Sequence, residues 1–272
     1  MKIAWTSDLH LNFVNDKALN QFLESIRCAE FDALLVGGDI GQEDSFGNYL
    51  VRMAEAIRRP IYFVLGNHDC YGGTIGSARR LADNLSQNHP QIWYLPSCDP
   101  VRLSASTGLI GHGGWGDAQL GDFWNSQVRL TDFQRIGELL AAAHNRGLLL
   151  DLLTALGRDA GRFLGSQLRQ ALFEYDRVIV LTHVPPFAEA SWHRGKPSGE
   201  DWLPFFACAS TGIALRKVME EYPDKRTTVL CGHTHSPGHC EVLPNLFVRT
   251  ASAEYGDPGI QEIISLPSDE TL

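Results

Sequence analysis

The chain has 272 residues, 44% of them hydrophobic and 20% charged, with a formal charge of −9 and a pI near 5.5. That is ordinary globular composition, and its acidic balance argues against broad electrostatic binding of long nucleic acid or of an anionic membrane. No run approaches the roughly 18 uncharged apolar residues of a membrane-spanning helix, and "MKIAWTSDLH" lacks the apolar centre and small-residue cleavage site of a signal peptide, so a soluble, unexported protein is expected.

In chain order, "KIAWTSD" reads as a strand that ends in polar residues. "DKALNQFLESIRCAE" follows, with Ala18, Leu19, Phe22, Leu23 and Ile26 at helical spacing. The unit recurs as "FDALLVGGD" and "FGNYLVRMAEAIRRP", and the next strand is "IYFVLGNHD", with Pro60 marking the preceding helix end. Short apolar strands alternating with amphipathic helices predict a parallel or mixed sheet of the α/β kind. "QIWYL" and "GLIGHGG" read as further strands. From Thr131 to Tyr175, Leu, Ala and Arg recur at helical spacing with breaks expected near Gly147 and Gly157, which predicts two or three helices. Such an insert would form a cap over a site or a dimer surface. Strands return in "RVIVLTH", "TTVLCGH" and "LFVRTAS", with a helix around "GIALRKVMEEYP". Residues 185–206 hold four prolines and predict a long loop, and the polar tail "PSDETL" is expected to fray. One domain is expected over residues 1–272. The six cysteines include no CxxC pair, so neither a zinc ribbon nor a disulfide framework is indicated, and reduced thiols fit a cytoplasmic protein.

Five of these strands end alike, with an apolar run giving way to Asp, Asn or His: "AWTSDLH" (Asp8, His10), "LVGGD" (Asp39), "VLGNH" (Asn67, His68), "IVLTH" (His183) and "VLCGHTH" (His233, His235). The carboxyl ends of strands in an α/β sheet converge on one edge, where ligand sites are expected. A lone Asp after a strand is usually a helix cap, and a lone loop histidine is usually solvated. Five strand ends with the same polarity do not admit five separate excuses. Imidazole, carboxylate and one amide without thiolate suit Mn, Fe or Zn. Seven donors exceed one metal's need at four or five coordination, whereas two metals sharing a bridging carboxylate use them all, and such pairs serve phosphoryl displacement. Asp39 is the natural bridge, because Gly37 and Gly38 let the backbone approach closely.

"DLH" (8–10), "GGD" (37–39), "GNHD" (66–69), "TH" (182–183) and "GHTH" (232–235), in that order, resemble the calcineurin-like metallophosphoesterase superfamily. The resemblance implies a four-layer α/β/β/α sandwich of two mixed sheets, with a dinuclear site of divalent or trivalent ions at the strand ends. It places Asp8, His10 and His235 on one metal, Asn67, His183 and His233 on the other, and Asp39 between them. His68 is similar to a histidine that lies near the substrate, and the implied reaction is attack of a metal-bound hydroxide on phosphorus while His68 helps the leaving oxygen depart. The family often carries a second Asp three positions after the bridge; here that position is Gln42. Either Asp69, Glu43 or Asp44 replaces it as the carboxylate that keeps His68 charged, or His68 is a weaker acid catalyst than usual and substrates with good leaving groups are favoured.

His112, in "LIGHGGWGD", and Arg194, in "SWHRGKP", are candidate substrate contacts. Asp122, Phe123 and Trp124 are read as a lid with an aromatic wall or as an ordinary buried pair. The expected activity is hydrolysis of a phosphoester, favouring a monoester on a small molecule or phosphoprotein. The alternatives are a phosphodiesterase for cyclic nucleotides or other small diesters, and a weakly catalytic protein-binding scaffold. Partners beyond the phosphorylated substrate, and the oligomeric state, are not readable from the residues.

Overall fold

A computed structural model describes residues 1–267; the end of the tail expected to fray lies outside the described residues. Five strands form the first sheet: β1 (Lys2–Thr6), β2 (Ala33–Val36), β3 (Ile61–Phe63), β4 (Ile92–Tyr94) and β13 (Glu262–Ser265), in the order β13-β1-β2-β3-β4. Six form the second: β5 (Val101–Arg102), β6 (Thr107–Gly111), β7 (Arg177–Leu181), β10 (Arg226–Cys231), β11 (Gly238–Leu243) and β12 (Leu246–Thr250), in the order β11-β12-β10-β7-β6-β5. Both sheets are mixed, parallel inside with an antiparallel strand at an edge.

Side chains alternate across each strand and so feed two cores at once. Ile3 and Trp5 of β1, Leu35 of β2, Ile179 and Leu181 of β7 and Leu230 of β10 meet between the sheets. Ala4, Leu34 and Val36 face the other way, onto α1 (Asp16–Cys28), α2 (Phe46–Ile57) and α3 (Ile75–Asn88). Val178, Val180 and Val229 likewise face α6 (Arg146–Glu174) and α8 (Ala209–Glu221). The result is the expected four-layer α/β/β/α sandwich. Strands buried on both faces must be apolar throughout, which is why they read as uninterrupted runs in the sequence.

Segment 131–175 folds as α4 (Asp132–Arg135), α5 (Gly137–Ala142) and α6. Asn145 caps α6 by accepting from Gly147 N and Leu148 N. The break expected at Gly157 does not occur. Gly157 lies inside α6, where a Cβ would come within 2.2 Å of the Asp117 side chain, so glycine is there for close packing. Leu149 and Leu153 of α6 join the core of the first sheet, and Leu164, Leu168 and Leu172 that of the second. This helix is therefore an outer layer of the sandwich and not a cap over the strand ends. The expected loop 185–206 contains a hairpin of β8 (Trp192–His193) and β9 (Lys196–Pro197), and a short α7 (Leu203–Phe206). β11 and β13 escape sequence reading because each is an edge strand with one partner and mixed, partly exposed residues. Among the described residues no helix is long and apolar enough to cross a membrane.

The parallel registers bring the strand ends level. Thr6 pairs with Val36, Val36 with Phe63, and Leu181 with Leu230, so the loops after β1, β2, β3, β7 and β10 leave from one edge.

Candidate metal centre

At that edge the backbone turns sharply. Asp8, His10, Asp39, His233 and His235 adopt left-handed conformations, with φ of 53°, 43°, 51°, 70° and 58°. Each costs a non-glycine residue on the order of 1 kcal/mol and persists only where surrounding contacts over-determine it. Here the loops are tied to one another: His10 N donates to Asp39 O at 2.8 Å and Gly232 N to His183 O at 2.8 Å. Glycines admit the carboxylates, since a Cβ on Gly66 would stand 2.1 Å from Asp39 Oδ1 and one on Gly232 2.0 Å from Asp8 Oδ2.

Seven side-chain donors converge in two groups. In one, Asn67 Oδ1 lies 3.1 Å from His183 Nε2 and 3.0 Å from His233 Nδ1, and the two nitrogens are 3.2 Å apart. Their partners settle where the protons are. His183 Nδ1 donates to Gly37 O at 2.9 Å and His233 Nε2 to Phe205 O at 3.1 Å, because a carbonyl can only accept. Asn67 Nδ2 donates to Asp132 Oδ1 at 2.9 Å, which turns the amide oxygen inward. Three lone pairs thus face one another with no proton among them, an arrangement that only a cation makes favourable. In the other group, His10 Nε2 lies 3.0 Å from His235 Nε2, and His235 Nε2 lies 3.5 Å from Asp8 Oδ1. Ligands about 2.1 Å from a metal and at right angles are about 3 Å apart, so these spacings fit a coordination shell.

Asp39 Oδ2 stands between the groups, 3.8 Å from His10 Nε2 and 3.5 Å from His183 Nε2. Donor atoms of Asp8, His10, Asp39 and His235 all lie within 4.8 Å of one another. Burial pushes His10 down to about 2 and His233 to about 3, helped by neighbouring imidazoles, and lowers His183. The rings are therefore neutral, which is the ligating form, and their approaches to Asp39 are not ion pairs. Burial also raises Asp39 well above the usual carboxylate range, reinforced by Asp8 and Asp69. Buried carboxylates surrounded by neutral rings ask for positive charge from outside the chain. The residues present therefore fit two metal ions, with Asp39 shared.

The sequence of residues 1–237 matches the model of the calcineurin-like phosphoesterase family. The chain is a calcineurin-like phosphoesterase. No curated protein matches its sequence significantly. Similar solved structures include a phosphopantetheinyl hydrolase from Mycobacterium tuberculosis, 14% identical, covering 100% of this chain and 98% of that one with a TM-score of 0.62. A dimetal phosphatase from Danio rerio is 14% identical, with coverage of 93% and 87% and a TM-score of 0.58. The TT1561 protein of Thermus thermophilus is 17% identical, with coverage of 92% and 88% and a TM-score of 0.53. At these identities the likeness is one of fold, and with the family match it makes the protein a metal-dependent phosphoesterase.

His68 of this phosphoesterase sits beside the donors, its Nε2 4.0 Å from Asp39 Oδ2, while its Nδ1 is buried without a hydrogen-bond partner. None of the carboxylates expected to hold it does so. Asp69 Oδ1 accepts from Ile40 N and Gly41 N, and Oδ2 from Gly66 N, so this side chain pins the bridging loop to the loop after β3. Burial drives Asp69 up to about 6 despite those bonds. Glu43 accepts from Thr74 N and Ser77 Oγ, and Asp44 is exposed. His68 instead stacks on Tyr71, with centroids 4.3 Å apart, and burial lowers it to about 3. No carboxylate holds the ring, and burial favours its neutral form.

Two expected substrate contacts are not among the residues lining the cleft. His112 is buried against Phe163, accepts from Gly114 N through Nδ1, and lines a separate small cavity with Arg79 and Tyr94. Arg194 is exposed at the tip of the β8–β9 hairpin in a left-handed turn. Trp124 is exposed and Phe123 packs on Phe205, so neither walls the cleft. Asp132 and Tyr71, by contrast, carry no motif, and sequence reading passes over them. Both line the cleft, and Tyr71 Oη donates to the Asp132 oxygen that holds Asn67. The one sequence signal for Asp132 was an Asp opening the helical segment, which is indistinguishable from a helix cap.

Proposed function

We propose that this phosphoesterase hydrolyses a small phosphodiester, using two ions of the Mn, Fe or Zn kind. The supporting observation is the lining of the cleft of about 250 Å³ over the donors, which among the described residues contains neither lysine nor arginine. A monoester dianion carries one more negative charge than a diester and gains most from a cationic side chain beside the metals. The cleft instead offers Tyr71, Tyr255, Phe206 and Leu130, apolar and aromatic surfaces that suit ester substituents. The monoester favoured on sequence grounds is the weaker reading for that reason.

When bound, the metals supply a nucleophilic water at neutral pH and positive charge for the phosphoryl oxygens. Everything else comes from the chain. Asp8, His10 and His235 form one donor set, Asn67, His183 and His233 the other, and Asp39 joins them. Asp132 keeps the Asn67 oxygen directed inward. His68 presents Nε2–H to an ester oxygen, a neutral hydrogen bond that assists departure without full proton transfer. Weak acid assistance favours substrates with good leaving groups.

The test is a panel of aryl monoesters, aryl diesters and cyclic diesters assayed with Mn, Fe or Zn. The expected result is a kcat/KM for diesters at least about tenfold above that for monoesters, about 1.4 kcal/mol of transition-state preference. Equal or better turnover of monoesters overturns the diester reading. Asp39→Asn serves as the blank.

A further inference from the structure

Arg135 follows Thr131 by one helical turn, on the same face, at the rim of the cleft that Thr131 lines. Its guanidinium lies over Tyr71, Cζ 5.3 Å from the ring centroid, and Tyr71 stacks on His68. Arg135 Nη2 donates to Gln42 Oε1 at 3.1 Å. Nearby carboxylates are engaged with the start of α3: Glu43 with Thr74 N and Ser77 Oγ, Glu138 with Ile75 N and Gly76 N. Among the described residues Arg135 forms no ion pair. It is an exposed guanidinium resting on an aromatic face and steadied by a neutral amide, beside a cleft whose lining, among the described residues, holds no lysine or arginine. Gln42 positions that charge without cancelling it, which a glutamate there would not do.

We propose that Arg135 is an anion subsite, binding a carboxylate or terminal phosphate carried on one substituent of the ester while its phosphoryl group sits at the metal donors. The assignment rests on the reading of the cleft as a phosphodiester site, and it names the substrate class: a diester with a second anionic group on the arm that passes Tyr71. Planar bidentate recognition of carboxylate or phosphate is what a guanidinium does best.

The experiment uses the full metal-loaded chain and three p-nitrophenyl phosphodiesters whose second substituent is ethyl, carboxyethyl or phosphoethyl. In the natural protein the charged esters have KM values about fivefold below that of the ethyl ester, the gain of an exposed ion pair. Arg135→Ala raises the KM of the charged esters by about fivefold and leaves that of the ethyl ester within about twofold. Gln42→Glu gives the same loss with the guanidinium still present, and Arg135→Lys recovers part of it. The carboxylate and phosphate arms separate the two anion types. An unchanged KM for both charged esters in Arg135→Ala, or an equal loss for the ethyl ester, overturns the proposal. Calorimetric binding of unreactive methylphosphonate monoesters of the same three alcohols provides a second readout. If the natural protein turns over none of the diesters, the diester reading fails by itself, and the phosphonate affinities still decide whether Arg135 binds the anion.

Discussion

Asn67 donates its amide to Asp132 at 2.9 Å, and that bond decides which end of the amide faces His183 and His233. A carboxylate can only accept, so turning the amide over would set its oxygen against the buried Asp132 carboxylate. Tyr71 Oη, donating to the same oxygen at 2.6 Å, holds the carboxylate in place. Asp132→Asn retains the shape but can donate, and so releases the constraint. Metal affinity at the Asn67 donor set is expected to fall about 10–100-fold with unchanged far-UV circular dichroism. Titration of metal-free protein with Mn, read by calorimetry, checks it.

Asp39 has opposite effects on the metal-free and metal-loaded protein. Burial raises its pKa in the fold, so the folded chain holds the proton more tightly than the unfolded chain, and its destabilising contribution is relieved as pH falls. Asp39→Asn is therefore expected to raise the urea midpoint of metal-free protein at pH 7.5. The same variant should lose the stabilisation by metal, about 2.7 kcal/mol at a hundredfold excess over Kd in the natural protein. A lowered metal-free midpoint would count against the buried-charge account.

The pH dependence of stability can be isolated at His112, which is outside the donor set. Burial lowers its pKa to about 3, so the folded chain stays neutral there while the unfolded chain takes up a proton below about 6.5. Stability from this residue is present at neutral pH and is lost as pH falls through 6.5. At pH 5 the loss is about 2 kcal/mol. His112→Asn keeps an acceptor for Gly114 N and should lose about 2 kcal/mol less than the natural protein between pH 7.5 and pH 5, measured by urea unfolding.

Two glycine substitutions should behave oppositely. A Cβ on Gly66 would lie 2.1 Å from Asp39 Oδ1, so Gly66→Ala should displace the shared carboxylate and reduce bound metal severely. Nothing lies within 4 Å of a Cβ on Gly47 in the first turn of α2, and Gly47→Ala should stabilise the fold by about 0.5–1 kcal/mol. Metal analysis and thermal unfolding of the two variants make the comparison.

His68 is adjacent to a donor but faces the cleft. His68→Ala is expected to slow turnover by no more than about 10²-fold, the low end for a general acid, while leaving metal content unchanged. If metal is lost in parallel with rate, His68 acts through the donors and not on the ester. The slowing should be larger for alkyl than for p-nitrophenyl leaving groups.

Much of this protein was legible before folding was considered. Apolar runs buried on both faces named the inner strands, and five polar strand ends named one edge, because a buried strand tolerates polarity only where it stops. The edge strands β11 and β13 and the continuity of α6 through Gly157 were not legible, since each depends on what packs beside it. The seven donors were legible as residue types, and the strand pattern and family resemblance led one to expect them to meet; the backbone geometry that brings them together was not legible. His10 and His235 are 225 residues apart and Asn67 and His183 are 116 apart, and only strand register and left-handed turns bring such pairs within bonding distance.

Chemistry and placement thus came from the chain, whereas the direction of each side chain came from tertiary structure. Asp69 is next to His68 in sequence yet turns to three backbone amides, because the loops after β2 and β3 need those donors satisfied. Asp132, 65 residues from Asn67, supports that donor, a different place from the one expected of Asp69. His112 and Arg194 had suitable chemistry but do not line the cleft, one being packed beneath α6 and the other exposed on the hairpin whose His193 does. A sequence states which groups are available, and hydrogen-bond satisfaction in the folded interior decides which of them meet.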